Sequence, residues 1–503
     1  MKRVIISTSA IMLATGGMAQ QKSPNILLAI ADDISYPYMS AYGTNGLSTP
    51  AFDEVARRGV LFENGYVTSP GSSPSRASLL TGKHTWEIEE AGTHGSDFPS
   101  KFVTYTDLLS EAGYHVGYTG KGWSPGDWSS FRELNPAGKE YNKIKNTPPF
   151  TGMHSFDYFE NFKAFMELRD TDEPFCFWYG GKEAHRGYEK DSWKRAGVDP
   201  NAIDMPPFLP DTPTTRGDVA DFIVEVEWFD SHLGKMLRYL EECGELDNTL
   251  IIVTADNGMP FPNAKASGYD LGTHVPMAMC WGNELKPQKK AIKEVVSSID
   301  FAATFLEIAG VDNDTTRAMT SKSLLPWIKG ERGAELPNRA FYARERHASS
   351  RINEWGYPVR ALRRGDYLYL YNFEPDRHPA GDPYSYILKD GVVTAVTSYS
   401  DIDGSPSKGE LIAKRDEPNI AQYFHLAVDK RPNEMLFNLA KDPQCMVNLA
   451  NNSKFEKQRK SMNQELFETL TSTGDTRLST PEVWDNYPYH GQKRNYDKSK
   501  ASE

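Results

Sequence analysis

Apolar positions recur along this chain in two rhythms. Short unbroken runs stand at Asn25 to Ala31 (NILLAIA), His115 to Tyr118, Phe175 to Tyr179, Thr249 to Thr254 (TLIIVT) and Pro276 to Cys280. A run with no polar alternation is what a strand covered on both faces needs, so each predicts a buried strand. Between them lie segments with apolar residues three and four apart: Pro50 to Arg58, Thr104 to Ala112, and Asp218 to Cys243. The last carries Phe222, Val226, Phe229, Leu233, Met236 and Leu240 on one helical face. Strands alternating with helices predict a doubly wound α/β sheet with helices on both faces, which binds ligands at the carboxyl ends of its strands. From about Ala340 the rhythm changes. Tyr357 to Phe373 reads as a hairpin turning at Arg364-Gly365-Asp366, and Ser453 to Leu470 as a closing helix. The expected organisation is an α/β domain over residues 20–339 and a smaller α+β subdomain with an antiparallel sheet over 340–503.

The first residues modify this layout. Met1-Lys2-Arg3 precedes an apolar run from Val4 to Ala14, and small Gly17 and Ala19 stand just before Gln20. That pattern predicts a secretory signal peptide over residues 1–19, since the run is too short to span a bilayer. No later run is apolar enough to cross a membrane. An exported protein, periplasmic in a Gram-negative bacterium, is the expectation.

Charge and cysteine narrow the function. Against 56 Lys+Arg stand 68 Asp+Glu, a net charge of −12. No block of like charge is long enough for a nucleic-acid-binding arm, so nucleic acid is not an expected partner. An anionic substrate would need positive charge gathered in one pocket. The four cysteines, Cys176, Cys243, Cys280 and Cys445, make no metal-ligand spacing and read as thiols without chemistry.

Two predicted strands end in polar pairs, Asp32-Asp33 after the first and Asp256-Asn257 after the fourth. Singly, such a pair is a common helix cap. Together, at the same edge of one sheet, they offer three carboxylates and an amide, oxygen donors suited to Ca²⁺ or Mg²⁺. The sharpest local signal is Ser72-Ser73-Pro74-Ser75-Arg76-Ala77-Ser78-Leu79-Leu80-Thr81-Gly82. Residue by residue it marks a turn into a helix, with Ser75 able to cap it.

Taken whole, that segment resembles the sulfatase signature, a Cys or Ser followed by x-Pro-Ser-Arg, four residues, then Thr-Gly. The resemblance implies an alkaline-phosphatase-like fold and hydrolysis of a sulfated carbohydrate. It implies that a maturation enzyme oxidises Ser72 to formylglycine, whose hydrate attacks sulfur and later expels sulfate by collapsing to the aldehyde. It assigns Asp32, Asp33, Asp256, Asn257 and Ser72 to one calcium, with magnesium also open. Arg76 beside the cation, Lys121 in Tyr118-Thr119-Gly120-Lys121, His185 in Glu183-Ala184-His185-Arg186, and Lys265 complete the implied catalytic set. A serine at the first signature position resembles the sulfatases of anaerobic bacteria.

Further stretches resemble the heparan N-sulfatase branch: Phe62 to Tyr66, Phe208 to Pro213, Asp256 to Pro262, Tyr357 to Leu362, and Glu434 to Leu439 with Asp442-Pro443. One departure stands out. Where the family usually has a histidine just after the sulfate lysine, this chain has Gly122-Trp123-Ser124. Trp123 is instead a candidate to stack on a sugar ring. His84, His94, His274, Arg346 and His347 are further candidates for binding a sulfated sugar. The expected activity is removal of an O-sulfate from a terminal sugar of a host glycan such as a glycosaminoglycan or mucin. Alternatives are a sulfamidase, a phosphatase of the same superfold, and a glycan-binding homologue in which Ser72 is never oxidised.

Overall fold

The computed structural model describes residues 23–496 except 283, 390 and 391. The signal peptide expected over 1–19 lies outside the described residues. No described helix is long and apolar enough to cross a membrane.

Eight strands form the main sheet: β1 (Asn25–Ala31), β2 (Val60–Tyr66), β3 (His115–Gly120), β4 (Lys139–Glu140), β5 (Phe175–Gly180), β6 (Thr249–Ala255), β7 (His274–Cys280) and β8 (Ile292–Ser297). Their order is β4-β3-β5-β1-β6-β7-β2-β8. β1 pairs in parallel with both β5 and β6, and β7 runs antiparallel to both its neighbours. The sheet is therefore mixed. β1 shows why the apolar runs are unbroken. Leu27, Ala29 and Ala31 enter one core, and Ile26, Leu28 and Ile30 enter the other, all at most 1% exposed. The helices α1 (Pro50–Arg58), α2 (Ser72–Thr81), α3 (Tyr105–Glu111), α4 (Pro213–Glu242) and α5 (Asp300–Ile308) are dealt to these two layers.

Three strands of this sheet escaped the periodicity: β2, β8 and β4, whose two residues are both exposed. β2 is interrupted by Glu63 and Asn64, which sit at its irregular pairing with β7. β8 is the edge strand of the sheet, and Lys293 and Glu294 are exposed there. The start of α2 also differs. The chain turns helical at Ser72, with Gly71 as its N-cap, three residues before Ser75.

A second, four-stranded sheet begins at β9 (Arg339–Arg344) and continues with β10 (Val359–Arg364), β11 (Tyr367–Asn372) and β14 (Glu434–Asn438), all antiparallel. The closing helix α6 (Glu456–Ser472) covers one of its faces through Met462, Leu466 and Leu470. A three-stranded sheet joins β12 (Ser385–Lys389) and β13 (Val392–Thr397) to β15 (Asn495–Tyr496), at the far end of the chain.

Candidate active site

The carboxyl ends of β1 and β6 lie side by side, since Ala31 is registered with Ala255. That pairing brings Asp32-Asp33 against Asp256-Asn257. The backbone N–H of Asp33 donates to Asp256 Oδ1 at 3.2 Å, and Asn257 Nδ2 donates to Asp33 Oδ1 at 2.7 Å. Asp33 takes φ 64°, a left-handed conformation that a non-glycine residue adopts at a cost. Oxygens of Asp32, Asp33 and Asp256 all lie within 4.8 Å of one another, and all three residues are buried.

α2 delivers the signature residues to this cradle. Ser72 Oγ is 3.2 Å from both Asp32 Oδ1 and Asn257 Oδ1. Arg76, one turn on and fully buried, donates through Nε to Asp256 Oδ2 at 2.8 Å and through Nη1 to the Lys121 carbonyl at 2.7 Å. Its Nη2 is buried without a partner among the described residues.

Lys121 arrives from the end of β3. The local packing is tight enough to require glycine: a Cβ on Gly120, where φ is +80°, would stand 1.9 Å from the Gly180 carbonyl oxygen, and one on Gly180 would stand 2.0 Å from that of Lys121. Lys121 Nζ then donates to both Asp32 oxygens at 2.8 and 2.7 Å and to Ser72 Oγ at 2.8 Å. Lys265 Nζ donates to Asp33 Oδ2 at 2.7 Å and Asp403 Oδ2 at 3.1 Å. His185 bonds the Arg186 carbonyl through Nδ1 at 2.6 Å, which fixes the proton on that nitrogen. Its Nε2 then lies 4.0 Å from Asp33 Oδ2. Arg186 anchors the segment by a bidentate pair with Asp218 on α4, at 2.7 and 2.9 Å.

The electrostatics match a cation site. Burial pushes the Asp33 carboxyl up to about 6; Lys265 and His185 oppose the rise, and Asp32 and Asp256 add to it. Burial also opposes the charge on Asp32, yet Lys121, His185, Arg76 and Lys265 outweigh it and hold that carboxyl well below its usual range. Three buried carboxylates, an amide carbonyl and a hydroxyl form an all-oxygen donor set, which fits a hard divalent cation.

Above the cradle is a pocket of about 180 Å³ lined by Ser72, Lys121, His185 and Lys265. His94 and His347 also line it, stacked 4.3 Å apart, with His94 Nδ1 2.7 Å from the His347 carbonyl. Burial pushes His347 down to about 4 and His94 well below its ordinary value, so both rings are neutral near pH 7. Besides Pro125 and Ala348, which adjoin residues already named, distant chain adds Ser400, Asp403, Tyr489, Gln492 and Arg494 to the wall. None of these carries a local motif. The nearest sequence signal was the charged stretch from Arg344 to His347, which leads into this wall.

Four candidate substrate residues lie elsewhere. Trp123 is fully buried, edge-on to Phe98, and its indole N–H donates to the Ser73 carbonyl at 2.9 Å. It has no face free for a sugar and instead braces the start of α2. His84 is packed between Trp86 and Phe341 under the second sheet, where burial pushes it down to about 3. Arg346 spends its guanidinium on the carbonyls of Tyr487 and Pro488, at 2.9 and 2.5 Å. His274 is sandwiched between Tyr36 and Tyr66, at 4.3 and 4.7 Å, and bonded to Asp270. It lines a separate cavity of about 660 Å³.

A buried all-oxygen cradle beside an acceptor hydroxyl, at the carboxyl edge of an alkaline-phosphatase-like mixed sheet, defines a hydrolase that acts on an anionic ester. The chain belongs to the sulfatase family, whose model matches residues 24–311, and it is a sulfuric ester hydrolase. Residues 264–371 match the model for the C-terminal part of N-sulphoglucosamine sulphohydrolase. It is 26% identical over 498 residues to human N-sulphoglucosamine sulphohydrolase, covering 94% of each chain. It is 24% identical over 477 residues to an ulvan-active sulfatase of Formosa agariphila, covering 90% of this chain and 75% of that protein. A solved structure of a protein in complex with its substrate D-glucosamine-2-N,6-O-disulfate superposes with TM-score 0.61 at 20% identity, covering 92% of this chain and 100% of that one.

Proposed function

We propose that this chain hydrolyses a sulfate ester on a terminal sugar of a sulfated glycan, with Ser72 oxidised to formylglycine by a maturation enzyme and one calcium held by Asp32, Asp33, Asp256 and Asn257. The observation that carries the reading is the convergence on Ser72 Oγ: Lys121 Nζ at 2.8 Å, and Asp32 and Asn257 oxygens at 3.2 Å, in the floor of one pocket. The oxidised residue supplies a second hydroxyl through which sulfate departs without attack by external water, and the cation supplies positive charge against nucleophile and sulfate.

The chain's own residues do the rest. Arg76 holds Asp256 and, through the Lys121 carbonyl, the end of β3, so nucleophile and lysine keep their relative position. Lys121 and Lys265 donate to sulfate oxygens, where charge builds in the transition state. His185 presents Nε2 to the pocket; as an imidazolium carrying a proton on each ring nitrogen it gives the Nε2 proton to the leaving oxygen and keeps the one bonded from Nδ1 to the Arg186 carbonyl. Export to the periplasm belongs to this reading and rests on the pattern of residues 1–19.

A second reading, cleavage of an N-sulfate, is favoured by the match of residues 264–371 and by the human relative. The absence of a histidine after Lys121 favours the ester. Sulfate release from a panel of O- and N-sulfated monosaccharides decides between them. Mass spectrometry of the Ser72 peptide should show the loss of two hydrogens after maturation, and Ser72→Ala should abolish release. Release from glucosamine N-sulfate alone would overturn the ester reading. A Ser72 peptide left unoxidised in the active protein would overturn the nucleophile assignment.

A further inference from the structure

The pocket over Ser72 has two walls of different origin. One is the cationic set on the main sheet. The other is brought by the C-terminal strap, residues 485–496. Asp485 accepts from the Gly356 N–H at 2.9 Å, and the carbonyls of Tyr487 and Pro488 are held by Arg346. His490 N–H donates to the Gly95 carbonyl at 2.8 Å, and its ring meets Asp97 at 2.5 Å. The strap ends as β15, paired to β12. It is thus laced to both sheets of the second part and to the loop after α2, and it presents Tyr489, Gln492 and Arg494 to the pocket in fixed positions.

Arg494 is surplus to the needs of the scissile sulfate, which Lys121, Lys265 and His185 already face. Its N–H donates to Ser349 Oγ at 3.2 Å and its Nη1 to the Ser349 carbonyl at 3.3 Å. Its Nε is buried without a partner, and among the described residues no carboxylate lies within ion-pairing distance of its guanidinium. The one acid lining the pocket, Asp403, is paired with Lys265 at 3.1 Å. Among the described residues this half-buried guanidinium therefore has no carboxylate partner, and an anion that arrives from outside can take that place. A guanidinium fork fits a carboxylate or a sulfate in bidentate fashion.

The pocket's size sets where that anion sits. At about 180 Å³ it falls below the roughly 300 Å³ at which sites for drug-sized ligands begin, so it admits a single sugar ring. Any second anion within it must be carried by the same ring.

We propose that Arg494 binds a second anionic group, a carboxylate or a second sulfate, on the sugar whose sulfate is removed. The C-terminal strap is then the element that selects a doubly charged sugar. This inference rests on the sulfatase reading of Ser72.

The test compares kcat/KM of the matured protein on three sugars: one carrying the scissile sulfate alone, one with a second sulfate added, and the corresponding uronic acid. At least one doubly charged sugar should exceed the monosulfated one by roughly tenfold or more, chiefly through KM, as expected for a charge-assisted pair. Whichever does so identifies the anion. Arg494→Gln should bring that ratio close to one, and Arg494→Lys should keep part of it; a merely structural defect would lower both substrates together and leave the ratio intact. Equal kcat/KM on all three sugars, or a ratio untouched by Arg494→Gln, overturns the proposal. If none is hydrolysed, the sulfatase reading has failed instead. Calorimetry of unmatured protein with the same sugars then decides: tighter binding of a doubly charged sugar, lost in Arg494→Gln, supports the inference, and equal binding overturns it.

Discussion

At the residue scale, the site depends on a few contacts with no slack. Gly71 stands before the nucleophile in extended backbone that any residue can adopt, so its role is spatial. A Cβ there would sit 3.0 Å from His347 Nδ1 and 3.5 Å from His94 Cδ2. Gly71→Ala should therefore displace the histidine pair by a few tenths of an ångström and lower kcat/KM about tenfold or more, with little change in melting temperature. Steady-state kinetics beside thermal unfolding checks this. Glu225 on α4 makes a different point. Burial, with Glu183 and Asp221 nearby, pushes its carboxyl up to about 9. A carboxyl raised on folding favours the folded state while protonated. That stability is fully present below about 4.5 and is lost as pH rises toward about 9. Glu225→Gln removes the titration, so its melting temperature should fall less than that of the wild type between pH 5 and 8. An unchanged slope would refute the assignment.

At the element scale, the site is built from ends of strands and starts of helices. α1 begins with Pro50, and its first free amides, those of Ala51 and Phe52, are met by Asp230 of α4 at 2.9 and 2.8 Å. A side chain on another helix thus does the work that an N-cap does locally. Asp230→Ala leaves two buried amides unsatisfied and should cost about 2 kcal/mol. Asp230→Asn keeps one acceptor oxygen and should cost about half as much. Denaturant unfolding of the two variants checks both the size and the order.

At the scale of the whole molecule, the cradle holds three buried carboxylates close together, each already met by Lys121, Lys265 or Arg76, and a divalent cation held among them would add to that compensation. Binding a cation to the folded chain alone stabilises it by mass action, about 2.7 kcal/mol at a hundredfold excess over Kd. Adding calcium to chelator-treated protein should raise the melting temperature with the logarithm of its concentration. Asp256→Asn should flatten that response whether or not Ser72 has been matured. A melting temperature indifferent to calcium and magnesium would remove the cation from this site.

The sequence by itself determined much of the main sheet, because strands covered on both faces must be apolar throughout and so leave unbroken runs such as NILLAIA and TLIIVT. It also singled out Asp32, Asp33, Asp256, Asn257 and Ser72, which the structure brings together because they sit at neighbouring strand ends and at the start of one helix. β2, β4 and β8 escaped because polar residues sit in an irregular strand and at the two sheet edges, where the apolar rhythm lapses. Only the tertiary structure decided which charged and aromatic side chains reach the pocket. Trp123, His84, Arg346 and His274 look as available in the sequence as His94 and His347, yet burial and bonded partners remove the first four. Asp403 and Arg494 carry no local signature. They face Ser72 because a loop and a strap from the last hundred or so residues fold back over it, and contacts across hundreds of residues leave no periodicity to read.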